Sequence, residues 1–69
     1  MANSTIDLMR ENIRKYRNLK GLTQVQLALN AGLSENYIYE IENGRKTPSL
    51  KRLILIADAL KIDIKNLFE

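Results

Sequence analysis

The residue types that most often carry out catalysis are missing or dispersed in this 69-residue chain. It has no histidine, which is the commonest general base, and no cysteine, so neither a disulfide nor a thiolate metal site can form. Its eight acidic residues are scattered, and its three glycines occur singly rather than in a phosphate-binding loop. We therefore expect no enzyme activity, no cofactor, no metal site and no small-molecule substrate.

The basic residues indicate a kind of partner more clearly, because they are unevenly distributed along the chain. The formal net charge is only +3, yet residues 10–20 hold five cations against one acid, and residues 45–52 hold four cations and no acid. Basic clusters of this kind are typical of a protein with a polyanionic partner. The alternative for either run alone is a solvated helix face. The cations are Arg10, Arg14, Lys15, Arg17 and Lys20 in the first run and Arg45, Lys46, Lys51 and Arg52 in the second.

The two basic runs flank residues 23–42, which have the sequence signals of two short helices and a tight turn. Thr23 is a suitable N-cap, and Gln26 three residues later completes a capping box. Gly32 is a suitable left-handed end for the first helix, and Ser34 is a suitable N-cap for the second. Helices this short are not stable alone, so other elements must pack against them. The two predicted helices end near Asn30 and Asn43.

The rest of the chain supplies further helices and no strand. Helical periodicity predicts a first helix that ends near Lys20, a fourth from Leu50 to about Leu60, and a last turn of helix from Ile64 to Phe68. We therefore expect an all-α fold, a compact single domain of five helices that spans residues 1–69. No apolar run reaches the length of a membrane span. The predicted core positions are Ile6, Met9, Ile13 and Tyr16 in the first helix and Leu50, Leu53, Ile56, Ala57 and Leu60 in the fourth.

Three positions within residues 23–42 have a spacing with a specific structural use. Counted from Gln24, a small residue at the fifth place, Ala28, lets the two helices approach closely, and Gly32 at the ninth place makes the turn. A branched apolar residue at the fifteenth place, Ile38, packs back against the first of these helices. This combination is typical of the DNA-binding helix-turn-helix, and it predicts the motif at about residues 23–42.

On these residues the chain resembles the phage-repressor helix-turn-helix family, the Cro-like or Xre-like group of transcriptional regulators. The resemblance implies a lambda-repressor-like domain of five helices, in which helices 2 and 3 form the motif and helix 3 enters the major groove. It also implies a homodimer on a palindromic operator of double-stranded DNA. Small stand-alone members, including restriction–modification controller proteins, are similar in length. The similarity covers about residues 9–68 and rests on Arg17, residues 21–50, the IADAL segment at residues 56–60, and Leu67 with Phe68.

The resemblance implies DNA contacts along helix 3, at the starts of helices 2 and 3, and in the loop after helix 3. Positions matching Glu35, Asn36 and Glu40 face base edges, where asparagine can pair with adenine and glutamate can accept from cytosine. The alternative for each is a solvent-facing helix residue. The position matching Gln24 binds backbone phosphate, and the loop residues clamp phosphates without reading sequence. The full predicted DNA-binding set is Thr23, Gln24, Ser34, Glu35, Asn36, Tyr37, Tyr39, Glu40, Asn43, Arg45, Lys46 and Thr47.

Arg17 and Glu42 have a structural role in this interpretation. Family members that resemble this chain pair an arginine of the first helix with a glutamate at the end of the third, and the pair is largely buried. We therefore expect a salt bridge between Arg17 and Glu42 rather than a DNA contact at Arg17.

The fourth helix departs from the family's pattern, because Leu55 occupies a place that is commonly polar. With Ile54, Ile64 and Phe68, Leu55 would form an exposed apolar strip, and such patches usually mark partner surfaces. We predict a two-fold dimer interface at these four residues. The alternative is a slightly wider core stripe.

The leading functional hypothesis is a sequence-specific DNA-binding transcriptional regulator of the repressor or controller type. The start of the chain has no signal-peptide core, so we expect the cytoplasm as its location. The alternative is a small protein-interaction module, such as an antitoxin-like partner. The basic loop at Arg45 and Lys46, beside a polar third helix, favours the DNA-binding hypothesis.

Overall fold

The computed structural model describes residues 4–69, with side chains from Thr5 onward, and every regular element in that range is helical. The all-α prediction is confirmed, and the helix ends lie within one residue of those predicted. The last element is a 3-10 helix, so the described range holds four α-helices and one 3-10 helix. The α-helices are α1 (Ser4–Leu19), α2 (Gln24–Ala31), α3 (Glu35–Glu42) and α4 (Leu50–Leu60), and the 3-10 helix is Ile64–Phe68.

The predicted caps around α2 and α3 are present. Thr23 Oγ1 accepts from the backbone N–H of Gln26 at 3.1 Å, and Gln26 Oε1 accepts from the backbone N–H of Thr23 at 2.8 Å. Gly32 ends α2 in the left-handed region, with φ of 71°, and Ser34 Oγ accepts from the backbone N–H of Tyr37 at 3.1 Å. These local hydrogen bonds satisfy backbone donors that a short helix otherwise leaves unpaired.

The core is a single cluster to which every helix contributes. α2 packs against α3 and α4, while α1 packs against α3 and the 3-10 helix. Burying one leucine or isoleucine side chain contributes about 1.5–3 kcal/mol, so this cluster is the main support of the two short helices. No helix within residues 4–69 has the length and apolar character needed to cross a membrane. The apolar side chains with no exposed surface are Ile13, Leu27, Ile38, Ile41, Ile56, Leu60 and Leu67.

Two predicted core positions are wrong, because Ile6 is 37% exposed and Leu50 is 69% exposed. Both residues lie in the first turn of a helix, α1 and α4 respectively. Side chains on a helix point toward its N-terminus, so at the first turn they project past the end of the helix rather than onto a neighbouring helix. The remaining predicted positions of these two stripes are buried, apart from the half-buried Tyr16.

Asn12 attaches the 3-10 helix to α1. Its side chain is buried, and its Nδ2 donates to the carbonyl oxygens of Leu67 at 2.9 Å and Glu69 at 3.1 Å. The last carbonyls of a short helix have no partner within the helix, so this amide supplies one from α1. Nothing in the helical periodicity of α1 indicated this contact, because Asn12 has the residue type of a solvent-facing position.

Candidate nucleic-acid interface

α3 has one face in the core and one face open to solvent. Ile38, Ile41 and Glu42 are buried, whereas Glu35, Asn36 and Tyr39 are exposed and Tyr37 and Glu40 are half-buried. The eight residues of α3 therefore hold the helix in place with one set of side chains and leave a polar set accessible. A helix that contacts a ligand through its outer face requires such a division.

The Glu42 carboxylate, which has no exposed side-chain surface, is the centre of a polar network that holds the C-terminal end of α3. Arg17 makes a two-pronged ion pair with it, Nε to Oε2 at 2.7 Å and Nη2 to Oε1 at 3.0 Å. Gln24 Nε2 donates to Oε1 at 3.1 Å, and Arg14 Nε approaches the same oxygen at 3.4 Å. Arg17 Nη1 also donates to the carbonyl oxygen of Leu22 at 2.9 Å. One carboxylate thus links α1, the start of α2 and the end of α3, and Arg17 extends the network to the loop after α1.

Burial and hydrogen bonding act in opposite directions on this carboxyl group. Burial alone raises the pKa of Glu42, but hydrogen bonds from Arg17 and Gln24 and the charge of Arg17 outweigh it. The pKa of Glu42 therefore lies below its ordinary value, and the group stays ionised at neutral pH.

Arg14 and a further arginine of α1, Arg10, also reach the main chain at the end of α3. Arg10 Nη1 and Arg14 Nη2 donate to the carbonyl oxygen of Glu42 at 3.4 and 3.3 Å. Cations at a helix C-terminus are favourable, because the unpaired carbonyls there carry partial negative charge. Much of the first basic run, which the sequence suggested for a polyanion, is therefore engaged with α3.

The predicted base-reading residues are connected to the loop after α3. Lys46 Nζ lies 3.3 Å from Glu40 Oε1, and Asn36 Nδ2 lies 3.5 Å from the same oxygen. The Tyr37 ring has Lys46 Nζ at 5.7 Å and the Arg52 guanidinium at 4.8 Å from its centre, both within cation–π range. The loop and the start of α4 thus bring cations to the exposed side of α3.

The loop itself folds back on the last turn of α3. Asn43 Nδ2 donates to the carbonyl oxygen of Tyr39 at 2.8 Å, and the backbone N–H of Arg45 donates to the carbonyl oxygen of Glu40 at 2.8 Å. Gly44 takes a positive φ of 76° and lies against the Arg10 side chain. Arg45 and Thr47 remain exposed beside α3.

The family model for the helix-turn-helix matches residues 13–67. The chain belongs to the helix-turn-helix family. Among curated proteins, this helix-turn-helix chain is 38% identical over 61 residues to the control protein C.SmaI of Serratia marcescens, covering 88% of this chain and 73% of that one. It is 44% identical over 54 residues to the immunity repressor protein of Bacillus phage phi105, covering 78% of this chain but only 38% of the repressor.

Solved structures give the same result for the fold of this helix-turn-helix protein. The restriction–modification controller protein C.AhdI of Aeromonas hydrophila superposes with a TM-score of 0.89 at 32% identity, covering 94% of this chain and 98% of that one. The N-terminal DNA-binding domain of SinR from Bacillus subtilis gives 0.83 at 28% identity, covering 91% and 93%. The predicted family is confirmed, and this helix-turn-helix protein is a DNA-binding transcriptional regulator, as the sequence indicated.

The sequence interpretation of this helix-turn-helix chain missed two members of the Glu42 network. Gln24 was predicted only as a phosphate ligand, whereas the structure places its amide on Glu42. Arg14 was named only as one cation of the basic run at residues 10–20, whereas its Nε lies 3.4 Å from Glu42 Oε1. The spacing of Arg10, Arg14 and Arg17, which puts all three on one face of α1, was the available signal. No group of acidic residues within the described range could hold a metal ion.

The predicted dimer strip is partly exposed in this helix-turn-helix fold. Ile54, Leu55 and Phe68 are 43%, 37% and 42% exposed. Ile64 is half-buried and packs against the core cluster. The strip therefore joins the core at Ile64 and reaches solvent at the other three residues.

Proposed function

We propose that α2 and α3 form the helix-turn-helix of a single DNA-binding domain spanning residues 1–69, and that α3 reads sequence in the major groove. The observation that carries the proposal is the exposed polar face of α3 with the basic loop directly beside it. A major groove about 12 Å wide accepts one helix, and the loop cations then lie near the phosphates at the edge of the groove. The protein acts by binding alone, without a catalytic step or a cofactor, in the cytoplasm.

Base reading belongs to the outer face of α3 in this proposal. Asn36 is suited to the N6 and N7 edge of adenine, and Glu35 and Glu40 can accept from the N4 amino group of cytosine. Tyr37 and Tyr39 supply aromatic rings for thymine methyl groups or hydroxyl groups for phosphates. Acidic side chains on a DNA-facing helix repel phosphates, so Glu35 and Glu40 favour binding only at sites where they reach a base.

Phosphate contacts come from the two helix starts and the loop. The N-terminal turns of α2 and α3 point backbone N–H groups and a positive dipole end outward, with Thr23 and Gln24 at the first and Ser34 at the second. The Gln24 amide uses one N–H on Glu42 and retains a second for a phosphate oxygen. Asn43, Arg45, Lys46 and Thr47 contact the backbone beyond the end of α3.

The protein works as a homodimer on a palindromic operator. The exposed apolar side chains Ile54, Leu55 and Phe68, with Ile64 behind them, are suited to a two-fold interface formed by α4 and the 3-10 helix. A dimer places two copies of α3 on half-sites about one helical turn apart. Sedimentation at tens of micromolar tests this directly, and a monomer at that concentration would contradict the interface.

Selection of binding sites from random duplex DNA tests the whole proposal. The expected result is a palindrome with half-site centres about 10 bp apart and an affinity that falls steeply with salt. The variant Arg45→Ala/Lys46→Ala weakens binding to all sequences, because the phosphate contact of Arg45 carries no sequence information. The matched control Lys20→Ala/Lys61→Asn removes the same charge at two residues outside the predicted DNA-binding set, directly after α1 and α4. Asparagine tolerates the left-handed conformation of residue 61. No DNA binding by the wild-type protein would instead favour the protein-interaction module.

A further inference from the structure

Three residues to which we assign DNA contacts form polar contacts with one another in the structure. Lys46 Nζ lies 3.3 Å from Glu40 Oε1, and Asn36 Nδ2 lies 3.5 Å from that same oxygen. The Glu40 side chain is 23% exposed and the Lys46 side chain is 53% exposed. The pair is therefore partly shielded from water on the carboxylate side, while the ammonium group remains accessible.

The backbone and a neighbouring ring hold this pair in register. The backbone N–H groups of Arg45 and Lys46 both donate to the carbonyl oxygen of Glu40, at 2.8 and 3.3 Å. The Tyr37 ring is a second neighbour of the ammonium group besides the Glu40 carboxylate, with its centre 5.7 Å from Lys46 Nζ. The loop thus returns Lys46 to the helix at Glu40.

These contacts compete with the functions proposed for the same residues. An ammonium group paired with a carboxylate contributes no net positive charge at a phosphate, so it displaces no counterion from DNA. A glutamate paired with a lysine, in turn, has its acceptor oxygen occupied and cannot accept fully from a cytosine amino group. Binding through both residues therefore requires the pair between them to open.

We propose that Glu40 and Lys46 form an electrostatic latch that couples base reading to phosphate binding. This inference rests on the function proposed above. On a site with no amino group opposite Glu40, the carboxylate retains Lys46, and one phosphate contact is not made. On a site with a cytosine N4 amino group there, the carboxylate accepts from the base and Lys46 is released to a phosphate. Glu40 thereby lowers affinity for non-cognate DNA, and the pair acts as a specificity determinant.

Glu35 provides a matched control within the same helix. It is an exposed acid in the first turn of α3 and has no ion pair within the described residues. Glu35→Gln and Glu40→Gln change the net charge of the protein equally and leave the core untouched. Only Glu40→Gln frees a lysine. The long-range effect of the lost negative charge on DNA binding is therefore the same in both variants, and only Glu40→Gln also removes the latch.

The experiment measures binding of the full chain to a fluorescently labelled 20-bp duplex of random sequence at several salt concentrations. The proteins are the wild type, Glu35→Gln and Glu40→Gln, each with Lys46 retained and with Lys46→Met. The latch predicts that Glu40→Gln steepens the slope of log affinity against log salt by about 0.9 more than Glu35→Gln does, the value for one additional phosphate contact. Between 50 and 200 mM salt, that difference corresponds to about a threefold change in relative affinity. With Lys46→Met, the difference between the two glutamine variants disappears.

The outcomes separate the latch from the proposed function. Equal slopes for Glu35→Gln and Glu40→Gln would overturn the latch, as would a difference that persists with Lys46→Met. On a selected cognate duplex, Glu40→Gln lowers the ratio of cognate to random-sequence affinity by at least about fivefold, because one base contact is lost. An unchanged ratio contradicts the latch. A wild-type protein that binds no DNA refutes the proposed function and the latch together, whereas DNA binding with equal slopes refutes the latch alone.

Discussion

The variant Glu42→Ala removes the acceptor that α1 and α2 share at the end of α3. The Arg17 side chain, only 13% exposed, loses both carboxylate contacts and retains its hydrogen bond to the Leu22 carbonyl. Removing one partner of a buried ion pair costs about 3–5 kcal/mol, because the other charge is left without compensation. At about 0.05–0.15 kcal/mol per residue, the whole free energy of unfolding of a chain this long is about 3–10 kcal/mol. The substitution is therefore expected to remove much of the stability.

Thermal unfolding followed by circular dichroism measures this loss. In a protein of this size, 1 kcal/mol shifts the Tm by about 4–8 °C, so a loss of 3 kcal/mol lowers the Tm by about 12 °C or more. Glu42→Gln keeps the shape and one acceptor oxygen without the charge, and we expect a smaller decrease. Glu35→Ala is the control, because this exposed residue has no ion pair in the described part of the chain. Its loss changes stability by about 1 kcal/mol at most, the value for an acidic side chain in the first turn of a helix. The network has no stabilising role if Glu42→Ala lowers the Tm no more than Glu35→Ala does.

Three further predictions concern pH, the 3-10 helix and the turn between α2 and α3. The pKa of Glu42 is lowered below 4.5 in the folded protein, so its ionised form stabilises the fold above that pH, and this contribution is lost as the pH falls through the pKa of the folded state. The Tm, measured from pH 7 to 3, should therefore fall more steeply below pH 4.5 for the wild type than for Glu42→Gln. Parallel curves for the two proteins would contradict this. Asn12→Leu leaves the buried Leu67 carbonyl without its side-chain donor, which costs about 1–3 kcal/mol. Amide hydrogen exchange in residues 64–68 should then speed up more than elsewhere, and uniform exchange would argue against a local role. In Gly32→Ala, the added Cβ meets no atom within 4 Å, so the free energy of unfolding falls only by the cost of a left-handed alanine, about 1–2 kcal/mol. Urea unfolding measures this loss, and a loss near zero would mean that the turn changes its backbone conformation.

The parts of the fold that depend on neighbouring residues could be predicted from the sequence. The Thr23 and Gln26 capping box, the left-handed Gly32 and the Ser34 cap each involve residues within four positions of one another. Their geometry is determined by the local backbone, so residue type and spacing are sufficient. The helix ends followed from the same signals.

Contacts between distant elements were harder to predict. Gln24 and Arg14 meet at Glu42 across 18 and 28 positions, and whether an amide turns inward or toward a ligand depends on how α1, α2 and α3 pack. The exposure of Leu50 shows a related difficulty, because periodicity gives the direction of a side chain but not whether a neighbour lies there. The attachment of the last element to α1 depends in part on Asn12, more than fifty positions away.

The division of α3 into a buried face and an exposed face also allows the exposed side chains to be exchanged while the helix keeps its attachment. Ile38, Ile41 and Glu42 carry its attachment to the rest of the molecule, so residues 35, 36 and 39 can be randomised on a constant scaffold. Exposed substitutions away from such attachments change stability by about 0.5 kcal/mol or less, and most members of a library of this kind would therefore remain folded. Differences in DNA preference across the library could then be attributed to the exchanged side chains rather than to partial unfolding.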